Sequence, residues 1–233
     1  MDRDVRMEIL STRGWLAKVD PEFRSDLLSE AAWCHFAAGD QMTLAGDEHG
    51  DLIGLADGFV GFHVSFGQPD APLLHIAPPV FWMGYRPAVS DHARIATAVA
   101  RSPVSCATIP RRRLRSMLDK RPEWWRHFVT LSLEYGDTAA FACADLLIPD
   151  ADARLIAVLL RFAGLRGSEA CEDKAVVVPV TQQDLAGAAN LSRNWTGTIL
   201  RRLARLGYVT TSYGGITVKK PHHLRAILES DCV

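Results

Sequence analysis

The chain has 233 residues, 48% of them hydrophobic and 23% charged, with a formal net charge of −1. That balance belongs to a globular protein large enough for one or two well-cored domains, and it excludes a disordered or low-complexity chain. No apolar run is long enough to cross a bilayer and Met1–Leu10 has no signal-like apolar core. The five scattered cysteines lack C-x-x-C spacing, so the expectation is a cytoplasmic protein with free thiols, no membrane partner and no zinc site.

The small net charge hides an asymmetry. Residues 1–110 carry 8 Lys and Arg against 14 Asp and Glu, a net of −6, whereas residues 181–233 carry 7 against 3, a net of +4. A basic C-terminal end points to a polyanionic partner there.

Residues 5–31 read as helical, with Ile9-Leu10, Trp15-Leu16, Phe23 and Leu27-Leu28 as apolar clusters and Asp20-Pro21 opening a second helix. From Cys34 to about Ile109 the texture changes to short β-rich runs broken by Gly, Pro and Asp at close spacing, which predicts a small β-roll or barrel. Pro110–Leu118 predicts a short helix whose Arg111, Arg112, Arg113 and Arg115 form a solvated basic face. A long helix follows from Glu123 to about Leu147, opened by Pro122. Phe128, Leu131, Tyr135, Thr138, Ala142 and Asp145 recur along it at near-heptad spacing. At about 37 Å it is too long for one small domain to cover.

Ile148-Pro149-Asp150 breaks that helix and marks a hinge. Asp152–Gly164 predicts a helix with an apolar face, residues 166–174 a polar loop, and Val176–Val180 a short strand. The segment Thr181–Leu206 then reads as two helices joined by a tight turn. Thr181 and Ser192 are placed to cap them, and Asn190 tolerates the left-handed turn. Trp195, Ile199, Leu203 and Leu206 predict the buried stripe of the second helix, leaving Arg193, Asn194, Gly197, Thr198, Arg201, Arg202 and Arg205 on its other faces. Arg can fork onto guanine, Asn onto adenine, and Thr can meet a thymine methyl or a phosphate. Gly207 ends the helix, and Tyr208–Tyr213, Gly214-Gly215 and Ile216–Lys220 predict a hairpin. Helix, turn, helix and hairpin make a winged helix-turn-helix. Pro221–Leu228 predicts a closing helix.

These motifs resemble the Crp/Fnr transcription regulators. The carriers are Leu191-Ser192-Arg193, Thr196-Gly197, Ile199-Leu200 and Arg205-Leu-Gly-Tyr-Val209 at the C-terminus. In the roll they are the Gly39-Asp40 and Ala45-Gly-Asp-Glu48 turns and the run from Leu52 to Val60. The fold class implied is α+β: a cyclic-nucleotide-binding-like roll with its N-terminal helices (1–121), a dimerisation helix (122–148) and a winged helix-turn-helix (149–233).

The resemblance further implies a homodimer on palindromic double-stranded DNA, joined through Phe128, Leu131, Tyr135, Thr138 and Ala142, with RNA polymerase and a small-molecule effector as candidate partners. DNA contacts fall to Arg193, Asn194 and Thr198 for bases, to Thr181, Gln182, Gln183, Ser192 and Arg201 for phosphates, and to Tyr213 and Lys219 on the wing. The family commonly has Glu where this chain has Asn194, so the base read there should differ.

The effector pocket departs from the family pattern. Where cyclic-AMP-binding members have a Gly-Glu-x-x-Leu cassette and an Arg-Ser pair, this chain has Phe81–Arg86, no carboxylate before Asp91, and Arg94-Ile95. Ala139 and Ala140 stand where Thr and Ser would meet the adenine. Cyclic AMP is therefore not the expected ligand. Trp82, Met83, Tyr85 and Arg94 are read as pocket lining for another ligand or, more plainly, as core and structural residues.

An iron–sulfur cluster has no ligands, because no cysteine precedes Cys34. Haem has no diagnostic signal among the singly spaced His35, His49, His63, His75, His92 and His127. Cys106 and Cys143 read as inert thiols, and no catalytic constellation points to an enzyme. The rival reading is a ligand- or protein-binding sensor whose DNA binding is secondary or lost.

Overall fold

A computed structural model describes residues 2–65, 71–166 and 174–230. In chain order its elements are α1 (Arg3–Thr12), α2 (Gly14–Ala17), α3 (Pro21–Ser29), β1 (Ala32–Phe36), β2 (Gln41–Thr43), β3 (Leu52–Asp57), β4 (Val60–His63), β5 (Leu73–Ala77), β6 (Phe81–Met83), α4 (Tyr85–Val89), β7 (Thr97–Ala100) and β8 (Val104–Ile109). There follow α5 (Arg111–Lys120), a 3-10 turn at Pro122–Trp124, α6 (Trp125–Leu147), α7 (Ala151–Phe162), β9 (Val176–Val178), α8 (Gln182–Ala188), α9 (Arg193–Arg205), β10 (Val209–Ser212), β11 (Gly215–Val218) and α10 (Pro221–Ser230). The expected polar loop at 166–174 lies mostly outside the described residues, as do Cys171 and Cys232.

The chain forms two compact units: Met1–Val60 with Pro78–Asp137, and Gly61–Ala77 with Thr138–Val233. In the first, an antiparallel sheet of order β1-β8-β3-β6 is backed by the N-terminal helices, and β2 pairs with β7. Helix α3 begins at the expected Asp20-Pro21, with Pro21 at its first position where the missing N–H costs nothing.

The core of this unit is aromatic. Trp15 meets Trp82 and Phe128 at 5.5 Å between centroids and Phe23 at 6.0 Å, distances at which edge and tilted ring contacts are favourable. The Trp15 indole N–H donates to the His127 carbonyl (2.8 Å), so the start of α6 is tied to the N-terminal helices. His127 stacks on Phe23 and its ring bonds Asp20, while Arg126 reaches the same carboxylate.

This packing corrects the sequence assignment of the α6 seam. Phe128 and Leu131 belong to the core of their own unit, and Tyr135 packs against it with its hydroxyl donating to the Trp82 carbonyl. Further along, Ala142 and Asp145 are buried as well. The apolar stripe left open is the adjacent one: Val129 (61% exposed), Leu133 (65%), Gly136, Ala140, Cys143 and Leu147 (81%), repeating at four, three, four, three and four. The helix is apolar on two faces, and only packing decides which one its own chain covers.

In the second unit α7 is buried almost throughout, opened by Asp150, whose carboxylate accepts from the Ala153 N–H at 2.8 Å. A buried ionic cluster joins α6, α7 and β5. Asp145, with no exposed surface, accepts from Arg161 (2.9 Å) and Arg166 (3.0 Å). Arg161 also donates to the Leu74 carbonyl (3.1 Å) and to His75 Nδ1 (3.3 Å). A guanidinium can only donate, so His75 accepts there and is neutral. Burial first, and Arg161 second, push its pKa down to about 3.

Candidate nucleic-acid interface

The C-terminal domain is built from local signals that the chain writes out in order. Thr181 Oγ1 accepts from the Asp184 N–H (3.0 Å) and opens α8; Ser192 Oγ accepts from the Trp195 N–H (3.2 Å) and opens α9. Between them Asn190 takes a positive φ of 51°, the left-handed turn expected of it. At the far end Gly207, with φ 76°, donates to the Ala204 carbonyl and Tyr208 to the Leu203 carbonyl, each at 3.0 Å. That pair of bonds is the Schellman closure, and it needs a residue without Cβ strain.

The buried stripe of α9 differs from the expected one. Ile199 and Leu203 are buried as anticipated, but their partners are Thr196, Gly197 and Leu200. Trp195 is 50% exposed and Leu206 55% exposed. Gly197 was expected on an open face. A Cβ there would come within 3.3 Å of Gln182 Oε1, so the Gln182 side chain of α8 rests over this glycine.

The open face is polar. Asn194, Thr198, Arg201 and Arg205 lie at i, i+4, i+7 and i+11, all exposed on one side of the helix. Thr198 Oγ1 donates to the Asn194 carbonyl (3.1 Å) and accepts from Arg201 Nη2 (3.0 Å), which aligns the arginine along the stripe. Arg193 is exposed about 100° around the helix from Asn194, beside Ser192. Arg202 is held by Asp152 of α7 and is thereby committed to the domain's own fold.

Around this face the exposed Thr181 and Gln183 and the half-buried Gln182 sit at the start of α8. The wing is a three-stranded sheet of order β10-β11-β9. Its register pairs Ser212 with Gly215, so the tight turn is Tyr213-Gly214 rather than Gly214-Gly215. The shift leaves Tyr213 fully exposed at the tip; Lys219, just beyond β11, is also exposed.

The expected effector pocket fares differently. Trp82 and Met83 are each 2% exposed and belong to the core, the plainer of the two readings given for them. Tyr85 packs on Tyr135 at 5.0 Å. The Arg94 guanidinium lies between Gly50 and Gly84 and donates to the Asp51 carbonyl at 3.3 Å. At Gly84, which adopts φ 81°, any Cβ would strike that carbonyl at 2.4 Å, so this packing requires glycine.

Neighbouring charges are also committed. Asp51 accepts from the Arg111 N–H (2.9 Å), and Arg111 and Arg115 converge on Asp91 at 2.7 and 3.0 Å. Arg111 therefore fastens the roll instead of simply facing water as expected. Ala139 and Ala140 are exposed on α6. Among the described residues no three His, Cys, Asp or Glu side chains form a metal-binding group, and no described helix is long and apolar enough to cross a membrane.

Capped helices, a left-handed turn, an exposed Asn-Thr-Arg stripe and a wing define a winged helix-turn-helix DNA-binding domain. Residues 153–227 match the model of the Crp-like helix-turn-helix domain. Among solved structures, the chain is similar to a candidate cyclic nucleotide binding protein from Ruegeria pomeroyi, with 18% identity over 98% of this chain and 99% of that one and a TM-score of 0.69. It is also similar to a CRP/FNR-family transcriptional regulator from Thermus thermophilus (22% identity, 86% and 100% covered, TM-score 0.64). A third is the c-di-GMP responsive global regulator CLP of Xanthomonas campestris (16%, 85% and 99%, 0.63). No curated protein matches the sequence significantly. The C-terminal domain is thus a Crp-like helix-turn-helix, and the chain has the fold of the CRP/FNR-family regulators.

Proposed function

We propose that this protein is a homodimeric, sequence-specific DNA-binding transcription regulator that does not depend on cyclic AMP. The observation that carries the reading is the Asn194-Thr198-Arg201 stripe, open on a helix capped at its entry and braced by α8. Asn194 reads an adenine edge with Thr198 next along the groove, and Arg193, a turn of about 100° away, reaches a base from the helix entry; Ser192, Thr181, Gln182, Gln183 and Arg201 make phosphate or flanking contacts, with Tyr213 and Lys219 on the wing. Two such helices enter successive major grooves about 34 Å apart on a palindrome.

The second copy is supported by the open seam of α6, where Gly136 and Ala140 allow close helix approach between Leu133 and Leu147. Independence from cyclic AMP is supported by the absence of a carboxylate between Phe81 and Ser90, and by the engagement of Arg94 with Asp51.

The test is selection of bound sequences from random duplex DNA by the purified protein, with and without cyclic AMP. A palindrome enriched without ligand is the expected result. Enrichment only with the nucleotide overturns the independence from cyclic AMP, and no enriched palindrome in either condition overturns the DNA-binding reading.

A further inference from the structure

The N-terminal unit holds a pair of cysteines that the sequence keeps far apart. Strands β1 and β8 pair antiparallel with Cys34 directly opposite Cys106. Direct antiparallel partners have Cα atoms about 4.5–5.5 Å apart and project their side chains from the same face of the sheet. That separation lies inside the window of about 4.4–6.8 Å that a disulfide accepts.

Side-chain contacts agree with the register. Cys106 Sγ lies 3.8 Å from the Cys34 carbonyl oxygen, and Thr108, two residues along β8 on the same face, points its hydroxyl at Cys34 Sγ (3.6 Å). The two thiols differ in access. Cys106 is fully buried and burial holds it firmly as the thiol, whereas Cys34 is half-buried on a strand at the edge of the sheet.

We propose that Cys34 and Cys106 form a latent dithiol that a peroxide converts to a cross-strand disulfide. Cys34 Sγ attacks the peroxide, forming an S–O bond as the O–O bond breaks, to give the Cys34 sulfenic acid and one water. Cys106 Sγ then attacks the Cys34 sulfur, the S–O bond breaks, and the Cys106 proton leaves with the hydroxyl as a second water. The peroxide takes both electrons. Thr108 Oγ1 lies where it stabilises the first oxidised sulfur, and the burial of Cys106 makes closure slow at neutral pH and faster as pH rises. The resulting link joins the segment leading into the roll to the strand leading out of it.

The experiment treats the full-length chain carrying Cys143→Ser, Cys171→Ser and Cys232→Ser with hydrogen peroxide, then maps peptides without reduction. The expected product is a Cys34 peptide joined to a Cys106 peptide. Both thiols should be lost to alkylation in denaturant, the thermal midpoint should rise by several degrees, and dithiothreitol should reverse all three changes. Cys34→Ser or Cys106→Ser should abolish the product.

The same map on the unsubstituted chain serves if the triple variant does not fold. Thiols that remain alkylatable, or Cys34 driven to the sulfinic acid without a cross-link, would overturn the proposal. So would a peptide map in which either cysteine pairs with another partner.

Discussion

The two ends of this chain treat their polar groups in opposite ways. On α9 the side chains that can read a base stay exposed: Asn194, Thr198 and Arg201 line one face, and Thr198 links the Asn194 carbonyl to Arg201 along the helix. In the roll, Arg94 turns inward between two glycines, Arg111 and Arg115 close on Asp91, and Trp82 and Met83 fill the core. A polar group left open can be used by a partner, whereas one that already has its hydrogen bonds inside holds the fold. One fold thus keeps a row of polar side chains open on α9 while the arginines of its roll turn to the roll's own carbonyls and carboxylates.

The largest expected effect comes from removing the carboxylate of the buried cluster, where Asp145 has no exposed surface. Asp145→Ala leaves Arg161 buried without its counter-ion, and breaking such a pair costs about 3–5 kcal/mol. Chemical denaturation should show that loss, with Arg166 freed as well. A milder route is acid. His75 is neutral when folded, with a pKa of about 3 against 6.5 unfolded, so the unfolded chain takes up its proton first as pH falls. Its contribution is intact above pH 6.5 and lost progressively toward pH 3, on the order of a few kcal/mol. Denaturation midpoints measured across that range should fall, and less so in His75→Gln.

At the recognition end, Asn194→Ala should weaken operator binding by about 1–3 kcal/mol, roughly 5- to 150-fold, and relax preference at one base pair per half-site. Titration against operators varied at each position measures both. Arg201→Ala should weaken binding and lower its salt dependence, and Ser192→Ala should cost about 1 kcal/mol of domain stability through the lost cap.

The smallest effect tests packing under the stripe. Thr196 is fully buried and its hydroxyl has no hydrogen-bond partner among the described residues. Thr196→Val should be neutral or stabilising by up to about 1 kcal/mol, because it removes an unsatisfied polar atom at constant shape. Thermal melts decide it, and a large loss would show that the hydroxyl is engaged.

The helix-turn-helix was legible because its determinants are local. Thr181, Ser192, Asn190 and Gly207 act within three or four residues of themselves, so caps, turn and termination can be read one after another. The starts of α3 and α10 follow from Pro21 and Pro221 in the same way, whereas α7 spans Ala151–Phe162 behind its Asp150 cap, not the expected Asp152–Gly164. Periodicity was less decisive. On α9 the stripe beginning at Trp195 and the one beginning at Thr196 share Ile199 and Leu203, and the larger aromatic favoured the wrong one. The wing turn slipped by one residue because the partner strand, not the Gly-Gly pair, sets the register.

Neighbours along the chain set the succession of elements, the caps and breaks that bound them, and the polar chemistry of α9, so these could be read in order. Packing between distant segments fixed which apolar face of α6 is covered, that Arg94 lies against Asp51 and Trp82 in the core, that Asp145 anchors a buried cluster, and that Cys34 meets Cys106. Those outcomes depend on which distant surface packs against which, and the free energy of burial is the same for two stripes of similar size until the fold covers one of them.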